Sequence, residues 1–91
     1  MSEILKKKPK INENLKIIEY IGSYYATFDG ERIWEIDTST YAVLEMCDGT
    51  KTVEQIAEEI AKIIEAKKED VIPTLQRMLE ELEKNKFIRF I

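Results

Sequence analysis

Few residues in this sequence could do chemistry. Cys47 is its single cysteine, followed by Asp48, Gly49 and Thr50. A thiolate there could attack an electrophile or bind a metal. Either role needs company that the chain lacks. It has no histidine, so no imidazole serves as a general base near neutral pH. A zinc site would have to be built from carboxylates and one thiolate. Eighteen acidic residues place carboxylates near one another by chance, so their spacing carries no argument. Gly22, Gly30 and Gly49 stand singly at turns rather than in a phosphate-binding loop. We therefore expect no catalytic residue, no metal and no cofactor. Cys47 reads as a packed thiol, and as a lone cysteine it can form no intrachain disulfide.

The elements around it must then serve binding. Ninety-one residues, 44% apolar and 35% charged, suit one small globular domain. The net charge of −4 is unevenly spread: residues 1–16 are net +3, 17–52 net −5, 53–85 net −4, and the last six net +2. A basic arm over residues 1–12 before an acidic domain over 13–91 is expected. An acidic body repels phosphate backbones, which disfavours nucleic acid as a partner. The opening MSEILKKKPK lacks the apolar segment of a signal peptide, and no run approaches a membrane span. A cytoplasmic protein without a membrane partner is expected.

Leu15 to Ile21, Tyr24 to Phe28 and Glu31 to Ile36 have strand character. Asp29-Gly30 suggests a type I′ hairpin turn. That turn would pair Phe28 with Glu31, Ala26 with Ile33 and Tyr25 with Trp34. It would set Tyr25, Trp34 and Ile36 on the core face. Asp37 can cap a nearly all-apolar helix from Thr38 to Cys47, and Gly49 suits a left-handed end. Thr52-Val53-Glu54-Gln55 fits a capping box. Behind it Val53, Ile56, Ala57, Ile60 and Ile64 share one face. Asp70 would cap the third helix and leave Pro73 in its first turn. Val71, Leu75, Met78 and Leu82 form that helix's stripe, which Ile72 and Leu79 widen beyond what one neighbouring helix needs. Phe87 to Ile91 alternates like a short terminal strand. The order predicts an α+β, winged helix-turn-helix-like fold: a three-stranded antiparallel sheet followed by three helices.

Two binding modes suit such a domain. In a DNA-binding regulator the third helix would enter the major groove, but Asp70, Glu80, Glu81 and Glu83 outweigh Arg77 and Lys84 there. Alternatively, a peptide could extend the sheet at its edge. The stretch WEIDTSTYAVLEMCDGTKTVEQIAEEI favours the second mode, because it resembles the PqqD family of peptide chaperones, also called the RiPP recognition element. The matching positions are Ala42, Leu44, Cys47, Asp48, Gly49, Thr50, Thr52, Val53 and Ile56, with Asp37 where the family usually has Asn. DVIPTLQRMLEELEKNKFI looks like the family's third helix. The resemblance implies a domain that binds the leader of a ribosomally made precursor peptide. It also implies a modifying enzyme as partner, often a radical S-adenosylmethionine protein. Carried over, the leader would pair with Glu31, Arg32, Ile33, Trp34, Glu35 and Ile36. Its apolar side chains would meet Val71, Leu75, Met78 and Leu79. A monomer or weak dimer is expected.

Overall fold

The computed structural model describes residues 3–91. A single 3-10 turn (Ile4–Lys6) leads into β1 (Pro9–Ile11), then a meander of β2 (Lys16–Tyr20), β3 (Ser23–Thr27) and β4 (Ile33–Ile36). Three helices follow, α1 (Thr38–Met46), α2 (Val53–Ile64) and α3 (Lys68–Lys84), and β5 (Ile88–Phe90) closes the chain. The three-stranded antiparallel sheet has the order β2-β3-β4, and β1 and β5 form a separate two-stranded ribbon. A winged-helix-like sheet followed by three helices is thus the architecture. One core joins them, with Ile56, Leu79 and Val53 among its fully buried side chains.

Local capping chemistry sets the helix starts. The Thr40 N–H donates to Asp37 Oδ1 at 2.7 Å, and this bond holds the Asp37 carboxyl below its ordinary range. At α2 the capping box is complete: the Gln55 N–H donates to Thr52 Oγ1, and the Thr52 N–H donates to Gln55 Oε1 at 2.8 Å. The third helix departs from expectation. It starts at Lys68, with Lys67 rather than Asp70 at its cap. Backbone N–H groups of Asp70 and Val71 bond to the Lys67 carbonyl. Lys68 Nζ also pairs with Glu54 of α2 at 2.9 Å. These bonds draw the helix back by a turn and put Pro73 inside it.

The hairpin register also differs. Thr27 pairs with Ile33, Ala26 with Trp34, Tyr25 with Glu35 and Tyr24 with Ile36. The loop is therefore Phe28–Arg32, not Asp29-Gly30 alone. Side-chain bonds decide this. Thr27 Oγ1 donates to the Arg32 carbonyl at 2.8 Å and accepts from the Gly30 N–H, while Asp29 Oδ1 accepts from the N–H groups of Glu31 and Arg32. The core face keeps Trp34 and Ile36 but takes Tyr24 in place of Tyr25, and Tyr24 stacks on Tyr41 of α1 at 3.9 Å. The two-residue turn lies elsewhere, at Ile21-Gly22, where φ is 51° and 77°.

Residues 4–11 are not a free arm. Pro9, Lys10 and Ile11 pair with Phe90, Arg89 and Ile88. The Cys47-Asp48-Gly49-Thr50 turn is stitched to this strand. The Ile11 N–H donates to the Cys47 carbonyl at 2.8 Å, and the Gly49 N–H donates to the Pro9 carbonyl at 3.0 Å. The Val53 N–H, a free donor at the start of α2, finds the Lys7 carbonyl at 2.9 Å. The lysines that suggested an arm face outward at positions 6–8, while Pro9 is fully buried and Ile4 and Leu5 pack on the core. Met1 and Ser2, the first two residues of that expected arm, lie outside the described residues.

Gly49 has φ +83°, and a Cβ there would meet Ile91 Cδ1 at 3.2 Å and Lys10 Cδ at 3.3 Å. It does not end α1, whose C-cap is Cys47; it shapes the turn beneath the ribbon. Gly49→Val is expected to cost about 2 kcal/mol or more, since a β-branched residue resists this backbone conformation. An unchanged urea midpoint would contradict it.

Cys47 is 1% exposed, and its thiol donates to the Val43 carbonyl at 3.2 Å. Burial first, and then the Asp48 charge, push its pKa up to about 12. The folded chain thus holds the thiol proton after the unfolded chain has lost it. This contribution is intact below about pH 9 and falls away as the pH rises from there towards 12. Between pH 7 and 10 the protein should lose about 1.4 kcal/mol that Cys47→Ala does not lose. Parallel urea titrations of the two proteins measure the difference.

Candidate functional site

A central strand sends its backbone groups alternately to its two neighbours. The two-residue turn at Ile21-Gly22 closes on a hydrogen-bonded pair, Tyr20 with Ser23. Alternation then turns the groups of Ser23, Tyr25 and Thr27 toward β2, and those of Tyr24 and Ala26 toward β4. On β4 the bonded residues are Trp34 and Ile36. The N–H and C=O groups of Ile33 and Glu35 point away from the sheet. β4 is an edge strand, so these groups form a short open ladder for an added chain.

Side chains alternate with the same period. Ile33 and Glu35 face outward and are exposed, whereas Ile36 is buried and Trp34 half-buried. Trp34 meets Phe28 and Phe87 edge-on, with centroids 6.2 and 5.2 Å away. It ties the strand to the end of α3. Arg32 lies 5.7 Å from the Trp34 ring centroid. Glu31 and Arg32 belong to the loop rather than to β4, and their N–H groups hold the Asp29 carboxyl below its ordinary range, Arg32 more strongly.

The helices form an open apolar cavity of about 380 Å³. Val71, Leu75 and Met78 of α3 line one wall. Ala42 and Met46 of α1 and Ile63 of α2 line the others, and Ser39 and Asp70 supply polar groups. Ser39 stands three residues beyond the end of β4, but no β4 residue lines the cavity. Of the ten residues singled out from the sequence, the structure gathers Val71, Leu75 and Met78 here. It sets Ile33, Trp34, Glu35 and Ile36 on β4, outside the lining. Leu79 is 0% exposed and belongs to the core.

Sequence reasoning did not single out the α1 and α2 walls. A signal existed: the first helix is apolar almost all round, yet Ala42 is exposed, and Ile64, expected on the buried face, is exposed beside Ile63. Apolar residues beyond those needed by the core mark a surface recess. Among the described residues no group of three or more His, Cys, Asp or Glu could hold a metal ion. Among the same residues no helix is long and apolar enough to cross a membrane.

Residues 25–88 match the family model described as coenzyme PQQ synthesis protein D (PqqD). No curated protein matches the sequence. The fold is similar to a solution NMR structure, the PqqD truncation of Methylobacterium extorquens PqqCD. That protein is described as a functional and stand-alone ribosomally synthesized and post-translational modified (RiPP) recognition element. The TM-score is 0.71 at 20% identity, over 98% of this chain and 99% of that one.

Proposed function

This chain belongs to the PqqD family, and we propose that it binds the leader region of a ribosomally made precursor peptide and presents it to a modifying enzyme. The leader adds to β4 as an antiparallel strand, bonding to the outward backbone groups of Ile33 and Glu35. The observation that carries this reading is the open edge of β4 in a chain of this family; the apolar recess lined by α3 adds a place for side chains. Backbone bonds supply affinity that depends little on sequence, and recesses for side chains supply discrimination. Val71, Leu75 and Met78 receive the leader's apolar side chains. Trp34 and Ile36 hold the strand against the core, and Glu31 and Arg32 keep its entry in register.

The domain does no chemistry in this reading. It needs no cofactor, works in the cytoplasm, and serves an enzyme such as a radical S-adenosylmethionine protein. The charged rim of β4 limits self-pairing while leaving its backbone accessible. A DNA-binding role has no comparable support, since the exposed side of α3 carries Glu80, Glu81 and Glu83 beside Arg77 and Lys84.

The test is a titration of the ¹⁵N-labelled protein. Its probes are synthetic peptides covering the N-terminal halves of short precursor-like reading frames beside the gene. Saturable shifts at the amides of Ile33 and Glu35, with methyl shifts at Val71 and Leu75, are the expected result at micromolar peptide. Shifts from none of the peptides would overturn the proposal.

A further inference from the structure

The sheet has a second open edge, β2, and it differs from β4. Ile18 and Tyr20 are 45% and 64% exposed on the outer face, and Ile21, at the hairpin tip, is 83% exposed. Ile21 also sits at φ 51°, a conformation costly for a β-branched residue. Tyr25, across from Ile18, and Ile33, 54% exposed, extend the same outer face. Large apolar side chains on an open strand edge favour pairing with another chain.

We propose that β2 joins a second copy of this chain, edge to edge and antiparallel, with Ile18 opposite the second copy's Ile18. The backbone limits the choice of register. The alternation that binds Lys16, Ile18 and Tyr20 to β3 turns the N–H and C=O groups of Ile17 and Glu19 outward. Two-fold pairing must bring these outward groups together. Centring the two-fold axis on Glu19 opposes two carboxylates, which is unfavourable. Centring it on Ile17 sets Lys16 against Ile18 and leaves Tyr20 beyond the paired strand. Centring it on Ile18 pairs all five residues of β2. Ile17 and Glu19 then exchange their free backbone bonds across the interface. Lys16 lies opposite Tyr20, where ammonium and ring attract, and no like charges face each other. The tip carrying Ile21 comes to lie beside the second copy's Leu15 and Lys16. The joined sheet has six strands, and β4 stays open at both ends.

Sedimentation equilibrium from about 1 µM to about 1 mM tests the assembly. The expected mass rises to twice 10.7 kDa. Ile18→Lys and Ile18→Glu should each remain at 10.7 kDa, because like charges then meet on the axis. At about 1 µM, before the native chain associates, their circular dichroism melts should match the native protein, since Ile18 faces solvent. A 1:1 mixture of the two variants should recover the doubled mass, since Lys then faces Glu. A native protein that stays at the single mass throughout would overturn the proposal. So would single variants that associate like the native chain, or a mixture that stays monomeric.

Discussion

Leu79→Ala should cost about 3 kcal/mol, within the range for removing a large aliphatic side chain from a packed core. Leu79 is 0% exposed and lies outside the cavity lining. The surroundings relax only partly onto the space such a truncation leaves. For a domain of this size the melting temperature would fall by roughly 15 °C. Met78, its neighbour in sequence, is half-buried and lines the cavity. Met78→Ala should cost less than about 1.5 kcal/mol, because part of its side chain has no packing to lose. Urea titrations of both variants compare core with recess along one helix. Equal costs would mean that the two residues share one environment. If the proposed leader site is right, Met78→Ala should also weaken peptide binding.

Glu35→Pro should reduce affinity for a leader peptide at least ~10-fold while leaving the fold in place. The substitution deletes one N–H and adds a ring where the incoming strand would lie. The bonds from β4 to β3 are made by Trp34 and Ile36, so the sheet loses none of them. Proline is tolerated in an edge strand where the N–H faces outward. Trp34→Pro is the matched control: it removes a bond inside the sheet and should destabilise the domain. The readout is the dissociation constant for a peptide that binds the native protein, alongside a melt. Unchanged affinity for Glu35→Pro would place the peptide away from β4.

Features decided within a few residues were legible in the sequence. The Asp37 cap and the Thr52–Gln55 box each need only a side chain and a backbone group three residues away. The order of three strands and three helices followed from apolar period and turn residues. What escaped depended on distant partners. β1 is three residues long, too short to signal itself, and its partner lies at the far end of the chain. The start of α3 depends on Lys68 reaching Glu54 of another helix. The hairpin register turned on the Thr27 hydroxyl, which binds loop backbone in a way that a rule based on Asp-Gly does not weigh. Ile21 at a positive-φ turn position runs against propensity, so turn rules favour Asp29-Gly30 over the dipeptide that makes the tight turn.

The candidate site divides in the same way. Helical spacing predicts the stripe Val71, Leu75, Met78 and Leu82, widened by Ile72 and Leu79, but spacing has no depth. Only the rotation of α3 against α1 and α2 separates Leu79, inside, from Met78, at the recess. The open ladder on β4 depends on the parity set by the turn at Ile21-Gly22, two strands away. A one-residue error in register reverses which backbone groups are free.

The ribbon of β1 and β5 has a mechanical consequence. Lys8 and Ile91 are joined by two backbone hydrogen bonds, Lys8 N–H to the Ile91 carbonyl and Ile91 N–H to the Lys8 carbonyl. Because the strands are antiparallel, a load drawn through these two residues strikes that end first. It opens the ribbon one bond after another, like a zipper, instead of shearing all its bonds at once. The bonds from Gly49 to Pro9 and from Val53 to Lys7 would part in the same peeling motion. A load drawn through Ile91 would therefore meet little initial resistance, however stable the helices are at rest.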